Sequence, residues 1–214
     1  MSDKYECPIC SYKGKFETIG LGQINVRYAA RCPECLSLER HRLQWLVVKK
    51  LFAVKALNNS MSMLHMAPEQ CLRYEFIQMF KSYITADLSG DDVDWKEDLC
   101  KLSFPDGSFD IVFASHILEH IKEDSKALKE IVRILAPGGL AILPVPINGQ
   151  KTTEYKKAKR SGHYRSPGYD YIYKYRKYFN MVVTYSSEDF PDKYQTYDYE
   201  NTKKKGDIVP VCYR

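Results

Sequence analysis

Two patterns of apolar residues, one typical of helices and the other of strands, alternate along the middle of the chain. Segments with an apolar residue every three or four positions predict amphipathic helices over residues 68–80 and 122–135. Around them lie short apolar runs that predict strands, at residues 61–66, 83–86, 109–114 and 140–145. Strands that alternate with helices in this way are typical of an α/β fold with a doubly wound, mostly parallel sheet.

Further elements flank this alternation. Residues 37–57 predict a helix with Ser37 as its N-cap, and Pro137-Gly138-Gly139 predicts the end of the helix over 122–135. Beyond residue 150 we expect a helix near 169–179 and strands over 181–185 and 207–212. The sequence therefore predicts three parts, which are a small N-terminal module over 1–36, a connecting helix over 37–60 and an α/β domain over 61–214.

The formal net charge of +5 is concentrated towards the C-terminus. Residues 1–150 hold 18 basic and 19 acidic residues, whereas residues 151–214 hold 14 basic and 8 acidic ones. Eleven of the 17 tyrosines lie within 155–199, interleaved with Lys and Arg. Aromatic faces beside cations suit sugars, nucleotides or single-stranded RNA, although a solvated face or a helix that packs its tyrosines has the same composition. We expect residues 150–205 to form an acceptor segment.

The chain shows no membrane or export signal. No apolar run approaches the roughly 20 residues that a membrane span needs. The first six residues are polar and lack the apolar core of a secretory signal. We therefore expect a cytoplasmic protein without a membrane partner, and its oligomeric state is open.

Four of the seven cysteines form two C-x-x-C pairs, Cys7 with Cys10 and Cys32 with Cys35. Each pair places two thiolates on one turn, and two such turns complete a tetrahedral site that suits a structural Zn²⁺ ion. Close pairs in a reducing compartment favour metal over disulfides. The sequence thus predicts a four-cysteine zinc-ribbon module over residues 1–36. The remaining cysteines, Cys71, Cys100 and Cys212, are expected to be buried free thiols.

A set of short motifs follows in order between residues 61 and 148. They are Leu64-His65-Met66-Ala67-Pro68-Glu69, Ala86-Asp87-Leu88, Glu97-Asp98-Leu99, residues 102–110, Ser115-His116-Ile117-Leu118-Glu119-His120 and Pro137-Gly138-Gly139. Their order and spacing resemble the class I S-adenosylmethionine-dependent methyltransferases of the type 11 group. A Cys-rich start and an Arg-His-Arg helix, present here as Arg40-His41-Arg42, fit a subgroup with Ala-Pro-Glu in the first loop. The resemblance implies a Rossmann-like fold, S-adenosylmethionine as cofactor and methyl transfer as the reaction.

The resemblance also implies where the cofactor binds. Asp87, at the end of the second strand, is placed to accept both ribose hydroxyl hydrogens. Asp98 resembles the acid that takes the adenine amino group, with the backbone of Leu99 at the ring edge. Further contacts are expected from His65, Ala67, Pro68, Glu69, Leu88 and Ser115.

The first loop departs from the family pattern, because Ala67-Pro68-Glu69 stands where a G-x-G core is usual and His65 where an acid is common. Alanine adopts a positive φ less readily than glycine, so we expect a different backbone path, with Glu69 near the cofactor's ammonium group. The missing G-x-G-x-x-G also argues against a nicotinamide dehydrogenase.

Three residues are candidates for the catalytic side of the site, His116, His163 and Arg165. Methyl transfer to a hydroxyl needs alignment of the nucleophile and removal of its proton. His116 follows the fourth strand and is a candidate base, or else a histidine that packs over the cofactor. His163 and Arg165 lie in a segment that resembles the family's Asp-His-x-Arg, as a base and an anion clamp. His120 is expected to be structural.

The expected acceptor is a hydroxyl of a small molecule, such as a saccharide or a nucleotide-linked sugar. One alternative is an RNA methyltransferase that uses the zinc ribbon for RNA binding, since zinc-ribbon rRNA guanine methyltransferases share this layout. Another is a non-catalytic cofactor-binding module. No N-P-P-Y-like sequence and no cysteine follow the fourth strand, which disfavours amine methylation of DNA and covalent methylation of pyrimidine C5.

Overall fold

The computed structural model describes residues 4–21, 24–200 and 203–214. The chain forms two compact units. The first comprises Met1–Asn58, Glu69–Glu75 and Tyr185–Ile208, and the second comprises Asn59–Pro68, Phe76–Thr184 and Val209–Arg214. The first unit therefore extends beyond the N-terminal module predicted over 1–36. Within that predicted module, residues 1–3, 22 and 23 lie outside the described residues.

The described residues form fifteen strands and four α-helices, numbered in chain order. The strands are β1 (Tyr5–Glu6), β2 (Lys13–Gly14), β3 (Glu17–Leu21), β4 (Ile24–Arg31), β5 (Ser62–Met66), β6 (Ser82–Asp87), β7 (Trp95–Lys96), β8 (Phe109–Ala114), β9 (Leu135–Ile142), β10 (Thr153–Glu154), β11 (Arg165–Ser166), β12 (Met181–Ser186), β13 (Asp198–Glu200), β14 (Lys203–Lys205) and β15 (Ile208–Tyr213). The α-helices are α1 (Glu39–Ala53), α2 (Gln70–Met79), α3 (Asp124–Ile134) and α4 (Tyr171–Tyr175). Short 3₁₀ helices occupy Leu118–His120, Ser187–Asp189 and Asp192–Tyr194.

In the first unit, a buried arginine of α1 holds several loops. The unit contains the β1–β2 hairpin and a four-stranded sheet in the order β14-β13-β4-β3. Arg42, whose side chain is fully buried, donates to the carbonyl oxygens of Ala30, Ser37 and Gln195 at 3.0, 2.7 and 2.7 Å. A guanidinium supplies five donors in a fixed fork, which suits a cluster of buried carbonyls. Arg42 of the Arg-His-Arg motif thus has a structural role in this unit.

The start of α1 differs from the prediction. The helix begins at Glu39, with Leu38 rather than Ser37 at the N-cap position, so the N-cap prediction was wrong. The backbone amide of Leu38 donates to Nδ1 of His41 at 3.2 Å. The Ser37 hydroxyl lies 3.5 Å from Sγ of Cys7 and 3.2 Å from Sγ of Cys35, which takes it away from the helix terminus.

The second unit is built on a seven-stranded sheet in the order β12-β15-β9-β8-β5-β6-β7. The pairs from β9 through β7 are parallel, and β15 runs antiparallel to β9. The predicted doubly wound, mostly parallel α/β fold is therefore confirmed. The strand order reverses between β5 and β8, and in open α/β sheets ligands bind beyond the carboxyl ends of the strands at such a switch point.

Several predicted boundaries moved by one or two residues, but the Pro-Gly-Gly motif has a different role. It does not separate α3 from a later strand, because α3 ends at Ile134 and β9 begins at Leu135. Residues 137–139 lie inside β9, where the pairing with β8 shifts register. A Cβ on Gly139 would stand 2.8 Å from the carbonyl oxygen of Asp110, so this close approach needs glycine.

Two further observations complete the fold. Cys212 is buried in β15, as expected, whereas Cys71 and Cys100 are only partly buried, and Cys100 lies in a turn. Within the described ranges, no helix combines the length and the apolar character that a bilayer crossing requires.

Candidate functional site

A pocket of about 390 Å³ opens at the carboxyl ends of β5, β6 and β8, at the switch point of the sheet. All of its lining residues belong to the second unit. They are Met66, Ala67, Asp87, Leu88, Ser89, Glu97, Asp98, Leu99, His116, Ile117, His120 and Ile121. Five predicted cofactor residues (Ala67, Asp87, Leu88, Asp98 and Leu99) and the candidate base His116 therefore line one pocket.

Two of the lining residues hold left-handed backbone as the chain leaves its strands. Ala67 after β5 has φ 48°, and His116 after β8 has φ 54°. The amide of Ala67 donates to the carbonyl of Ala86 at 2.7 Å, and the amide of His116 donates to that of Pro144 at 2.9 Å. Such backbone costs a non-glycine residue roughly 1–2 kcal/mol, and strain of this kind clusters at functional sites. Ala67 thus adopts a positive φ, although the sequence led us to expect that alanine would avoid it.

Asp87 ends β6 with its carboxylate partly used by the following turn. Its Oδ1 accepts from the amides of Ser89 and Gly90 at 2.9 and 3.3 Å. A carboxylate has about four lone-pair sites, so acceptor capacity is left for a ligand. The neighbouring Leu88 side chain is 71% exposed and offers an apolar surface at the same pocket.

The Glu97-Asp98-Leu99 segment forms another wall. The amide of Glu97 donates to the carbonyl of Asp87 at 2.9 Å, which ties the two walls together. The buried carboxylate of Glu97 accepts from both the amide and the hydroxyl of Ser103. Asp98 is exposed, and its Oδ1 accepts from the amide of Cys100 at 2.8 Å. Glu97 therefore holds the loop, and Asp98 is left at the pocket surface.

Other predicted cofactor residues do not line this pocket. His65 is fully buried, and its Nδ1 lies 2.8 Å from the hydroxyl of Tyr83, between the rings of Phe76 and Phe113. It is therefore placed as a core histidine. Ser115 is 5% exposed, and neither it nor Pro68 is among the lining residues. Glu69 belongs to the first unit.

A buried glutamate lies beside the candidate base. Nδ1 of His116 is 3.5 Å from Oε1 of Glu119, whose side chain is 2% exposed. Among the described residues, neither Nε2 of His116 nor Oε2 of Glu119 has a hydrogen-bond partner. A carboxylate at one ring nitrogen fixes the tautomer and leaves the other nitrogen available as a base. Contacts of catalytic groups are often long without ligands and tighten on binding.

The remaining catalytic candidates lie next to this pair. His163 packs against His120, with ring centroids 4.5 Å apart. Arg165 is 2% exposed, and its donors go to the carbonyls of Leu118, Ile121 and Lys122 and to the Glu154 carboxylate. These bonds occupy the guanidinium, so the structure favours a positioning role over the anion clamp that we expected.

A second pocket, of about 350 Å³, is formed largely by the tyrosine-rich segment. Its lining includes Thr152, Glu154, Asp170, Tyr173, Lys174 and Tyr178. Tyr171 also lines it and donates to Asp124 at 2.5 Å, and burial together with this carboxylate raises the pKa of Tyr171 well above its usual range. Tyr175 is fully buried and donates to the carbonyl of Leu143 at 2.8 Å. Some tyrosines thus pack as core, and others face this pocket.

In the first unit, Sγ atoms of the four predicted ligand cysteines all lie within 4.8 Å of one another. The pairs Cys7–Cys35 and Cys10–Cys32 are each 3.6 Å apart. Zn–S bonds of about 2.3 Å place the sulfurs of a tetrahedral site roughly 3.8 Å apart, so the spacing fits a four-sulfur metal site and not disulfides.

The two knuckles have matching backbone geometry. Ser11 and Leu36, each four residues after the first cysteine of its pair, have φ 63° and 58°. Their amides donate to the carbonyls of Cys7 and Cys32 at 2.9 and 3.0 Å. The thiol of Cys35 lowers the pKa of Cys7 to about 4, because its hydrogen bond stabilises that thiolate. The cluster is thus built from two equivalent turns.

Comparison with known proteins agrees with the fold. Residues 43–143 match the family described as "Methyltransferase domain". Ajmaline N-methyltransferase of Rauvolfia serpentina is 37% identical over 46 residues, which are 22% of this chain and 16% of that protein. The matched stretch therefore spans about one sixth of that relative. Residues 43–143 are therefore similar to a methyltransferase domain over just under half of the chain.

Solved structures show the same fold at low identity. A SAM dependent methyltransferase from Archaeoglobus fulgidus has a TM-score of 0.52 at 14% identity, covering 80% of this chain and 94% of that one. The [4+2]-cyclase SpnF has a TM-score of 0.55 at 13% identity, covering 78% of this chain and 80% of that one. Because a cyclase shares the fold, the reaction must be argued from the site.

Proposed function

We propose that the chain is an S-adenosylmethionine-dependent methyltransferase that acts on a hydroxyl of a small molecule. The observation that carries the proposal is that Asp87, Asp98 and His116 line one pocket at the switch point of the sheet. The methyltransferase domain over 43–143 contains all three residues. A non-catalytic module would need the pocket but not a paired histidine and glutamate beside it.

The pocket residues suit the parts of the cofactor. When bound, S-adenosylmethionine supplies an electrophilic methyl group for in-line transfer to a nucleophile. Asp87 would accept from the ribose hydroxyls, and Asp98 would accept from the adenine amino group. The exposed side chain of Leu88 would cover one face of the adenine ring, which removes apolar surface from water. Ala67 and the backbone of Leu99 would complete the contacts.

His116 is the proposed base for the acceptor hydroxyl, with Glu119 as the residue that orients its ring. Its Nε2 would accept the hydroxyl proton as the oxygen takes the methyl group. Positioning alone supplies much of the acceleration of a displacement reaction. The left-handed backbone at His116 supports this role, since it fixes the ring at the strand end.

The tyrosine-rich pocket supports a small acceptor with sugar or nucleotide character. Its aromatic rings and the cation of Lys177 suit a polyol with an anionic group, whereas the ammonium group of Lys174 is already paired with Asp124. The RNA alternative is supported by the exposed run of Lys156, Lys157, Lys159 and Arg160 and by the surplus of six positive charges after residue 150.

Two measurements test the proposal. Calorimetry of the purified chain with S-adenosylmethionine should give micromolar binding. Incubation with methyl-labelled cofactor and separate pools of saccharides, nucleotide sugars and total RNA should then label one pool. Label in a sugar pool that His116→Gln abolishes, with cofactor binding kept, supports the assignment. Label in RNA would favour the RNA methyltransferase instead, and cofactor binding without label in any pool would favour the non-catalytic module.

We also propose that Cys7, Cys10, Cys32 and Cys35 hold one structural Zn²⁺ ion. The spacing of their sulfur atoms supports it, as does the hydroxyl of Ser37 beside two of the thiols. All four ligands are cysteines, so no coordination position is left for chemistry. The ion would tie the β1–β2 hairpin to the turn that precedes α1.

A further inference from the structure

Three ligand-type side chains meet beside the pocket, outside the cysteine cluster. A carboxylate oxygen of Glu119 and one ring nitrogen each of His120 and His163 lie within 4.8 Å of one another. We propose that Glu119, His120 and His163 bind a divalent transition-metal ion of the Zn²⁺ class. Two histidines and one carboxylate are the ligand set of open zinc and non-haem iron sites.

The carboxylate gives an independent sign of a missing partner. Glu119 is 1% exposed, and within the described part of the chain its Oε2 accepts no hydrogen bond. An ionised carboxylate that is buried without a partner costs several kcal/mol. Its other oxygen, Oε1, already faces Nδ1 of His116 at 3.5 Å. A cation held by Oε2 and the two neighbouring imidazoles would offset that cost.

The backbone holds the ligand segments together. The amide of Tyr164 donates to the carbonyl of Glu119 at 2.8 Å, next to both His120 and His163. Arg165 donates from the His163 segment to the carbonyls of Leu118 and Ile121, each at 2.5 Å. Because these bonds flank all three ligands, the ligands are brought together by the fold and not by chance contact of surface loops.

The turn before His163 fits closely around His120. Gly162 has φ 80°, and a Cβ built on it would lie 3.1 Å from Nδ1 of His120. A side chain at this position would therefore strain the backbone and push the imidazole. Ligand atoms of a tetrahedral ion are roughly 3.4 Å apart. The ligand atoms here lie within 4.8 Å of one another, so the exposed side chain of His120 would move towards the other two ligands when the ion binds.

The ion would lie beside the pocket that we assign to the cofactor, since His116 and His120 line it and Glu119 contacts His116. Three protein ligands leave a coordination position open. On the proposed function, this position would take an oxygen of the acceptor and so orient the hydroxyl. This last step rests on the proposed function, whereas ion binding itself does not.

Metal content and the absorption spectra of bound Co²⁺ test whether the ion binds, and neither measurement depends on enzymatic activity. Wild-type protein loaded with Zn²⁺ and desalted should carry about two ions per chain, one in each site. His163→Ala and Glu119→Gln should each carry about one, with far-UV circular dichroism unchanged for His163→Ala. Glu123→Gln, an exposed acid four residues from Glu119, should still carry two. Gly162→Ala, which removes no ligand, should weaken binding at the second site by about tenfold or more.

The absorption spectrum of bound Co²⁺ distinguishes the two sites. The cysteine site should give intense thiolate-to-cobalt charge transfer, and the proposed site should give only weak d–d bands that His163→Ala removes. One ion per chain in wild type, held entirely by thiolates, would overturn the inference. Equal weak bands in wild type and His163→Ala would do the same. Cofactor binding measured on these samples keeps the proposed function as a separate question.

Discussion

Nη1 of Arg165 donates a 2.5 Å hydrogen bond to the carbonyl oxygen of Leu118. The same guanidinium reaches Ile121 and Lys122, so one side chain supports the loop that carries Glu119 and His120. Arg165→Met should lower the free energy of unfolding by about 3–5 kcal/mol, because it leaves buried carbonyls without their donor and removes one of the two cations, Arg165 and Lys174, beside Asp124. Urea unfolding measures the loss.

The matched control is Arg160→Met, since Arg160 is exposed in the same segment. It should change stability by less than about 0.5 kcal/mol. Equal urea midpoints for the two variants would show that Arg165 does not support the loop.

Asp87→Asn should weaken S-adenosylmethionine binding by about 10- to 100-fold. The amide keeps an oxygen for the turn amides of Ser89 and Gly90 but loses the charge that strengthens hydrogen bonds to ribose hydroxyls. Calorimetry gives the affinity. Asp91→Asn, a control at a carboxylate whose side chain is 94% exposed, should bind like wild type. Unchanged affinity in Asp87→Asn would remove this carboxylate from the cofactor site.

Cys32→Ser should lose about one zinc ion per chain and raise amide hydrogen exchange in residues 4–21 and 24–36. The central strands β5 and β8 should keep their protection, because they belong to the second unit. Elemental analysis and exchange mass spectrometry read out both effects. Cys100→Ser, at a partly buried thiol in a turn, is the control. A native protein without metal would contradict the prediction.

Glu130→Gln should destabilise the protein by about 1 kcal/mol at pH 7, and the difference should vanish on acidification. Hydrogen bonding to Arg133 lowers the pKa of Glu130 below its ordinary value of 4.5. The ionised form is favoured by folding, so its contribution is present above about pH 4.5 and is lost as the pH falls through the folded-state pKa. The pair is partly exposed, which keeps the effect small. Thermal unfolding at several pH values checks the trend, and a difference that persists at pH 2–3 would contradict it.

RNA binding should be weak and only shallowly dependent on salt if the acceptor is small. Six or more phosphate contacts would reduce RNA affinity by about 10³-fold between 50 and 200 mM salt, because counterions are released on binding. The basic residues after 150 share their segment with acids and tyrosines, which argues against a continuous phosphate track. Filter binding at several salt concentrations decides the matter, and a steep slope together with methyl label in RNA would reverse the choice of acceptor.

The fold was predictable because its signals are local. Phe109–Ala114 matches the predicted strand, and most other central elements moved by only one or two residues. The exception is β9, which spans Leu135–Ile142 where the sequence predicted a strand over 140–145. The role of Pro137-Gly138-Gly139 was missed because it depends on the register between β8 and β9, which is a long-range property. Ser37 was misread because its hydroxyl lies beside thiols that are distant in sequence.

The lining of the pocket was predictable where a residue follows a strand end. Asp87 and His116 line the pocket for this reason, since strand ends of a parallel sheet meet at one edge. Whether a polar side chain is buried was harder to predict from the sequence. His65 and Arg165 became core groups, and Glu119 gained its importance from burial in a polar stretch that looks exposed in the sequence. The spacing of His116, Glu119 and His120 was visible, but His163 joins them only through the tertiary fold.

The position of β15 in the sheet bears on how the protein is made. This strand lies between β9 and β12, although β12 precedes it in the chain. On the ribosome, β12 therefore emerges before the strand that joins it to the sheet, and it must wait while the intervening segment is translated, roughly seconds at 5–20 residues per second. The parallel strands β5 to β9 have all emerged by then. Until β15 has been made, the backbone groups along the outer edge of β9 therefore have no strand partner in the sheet.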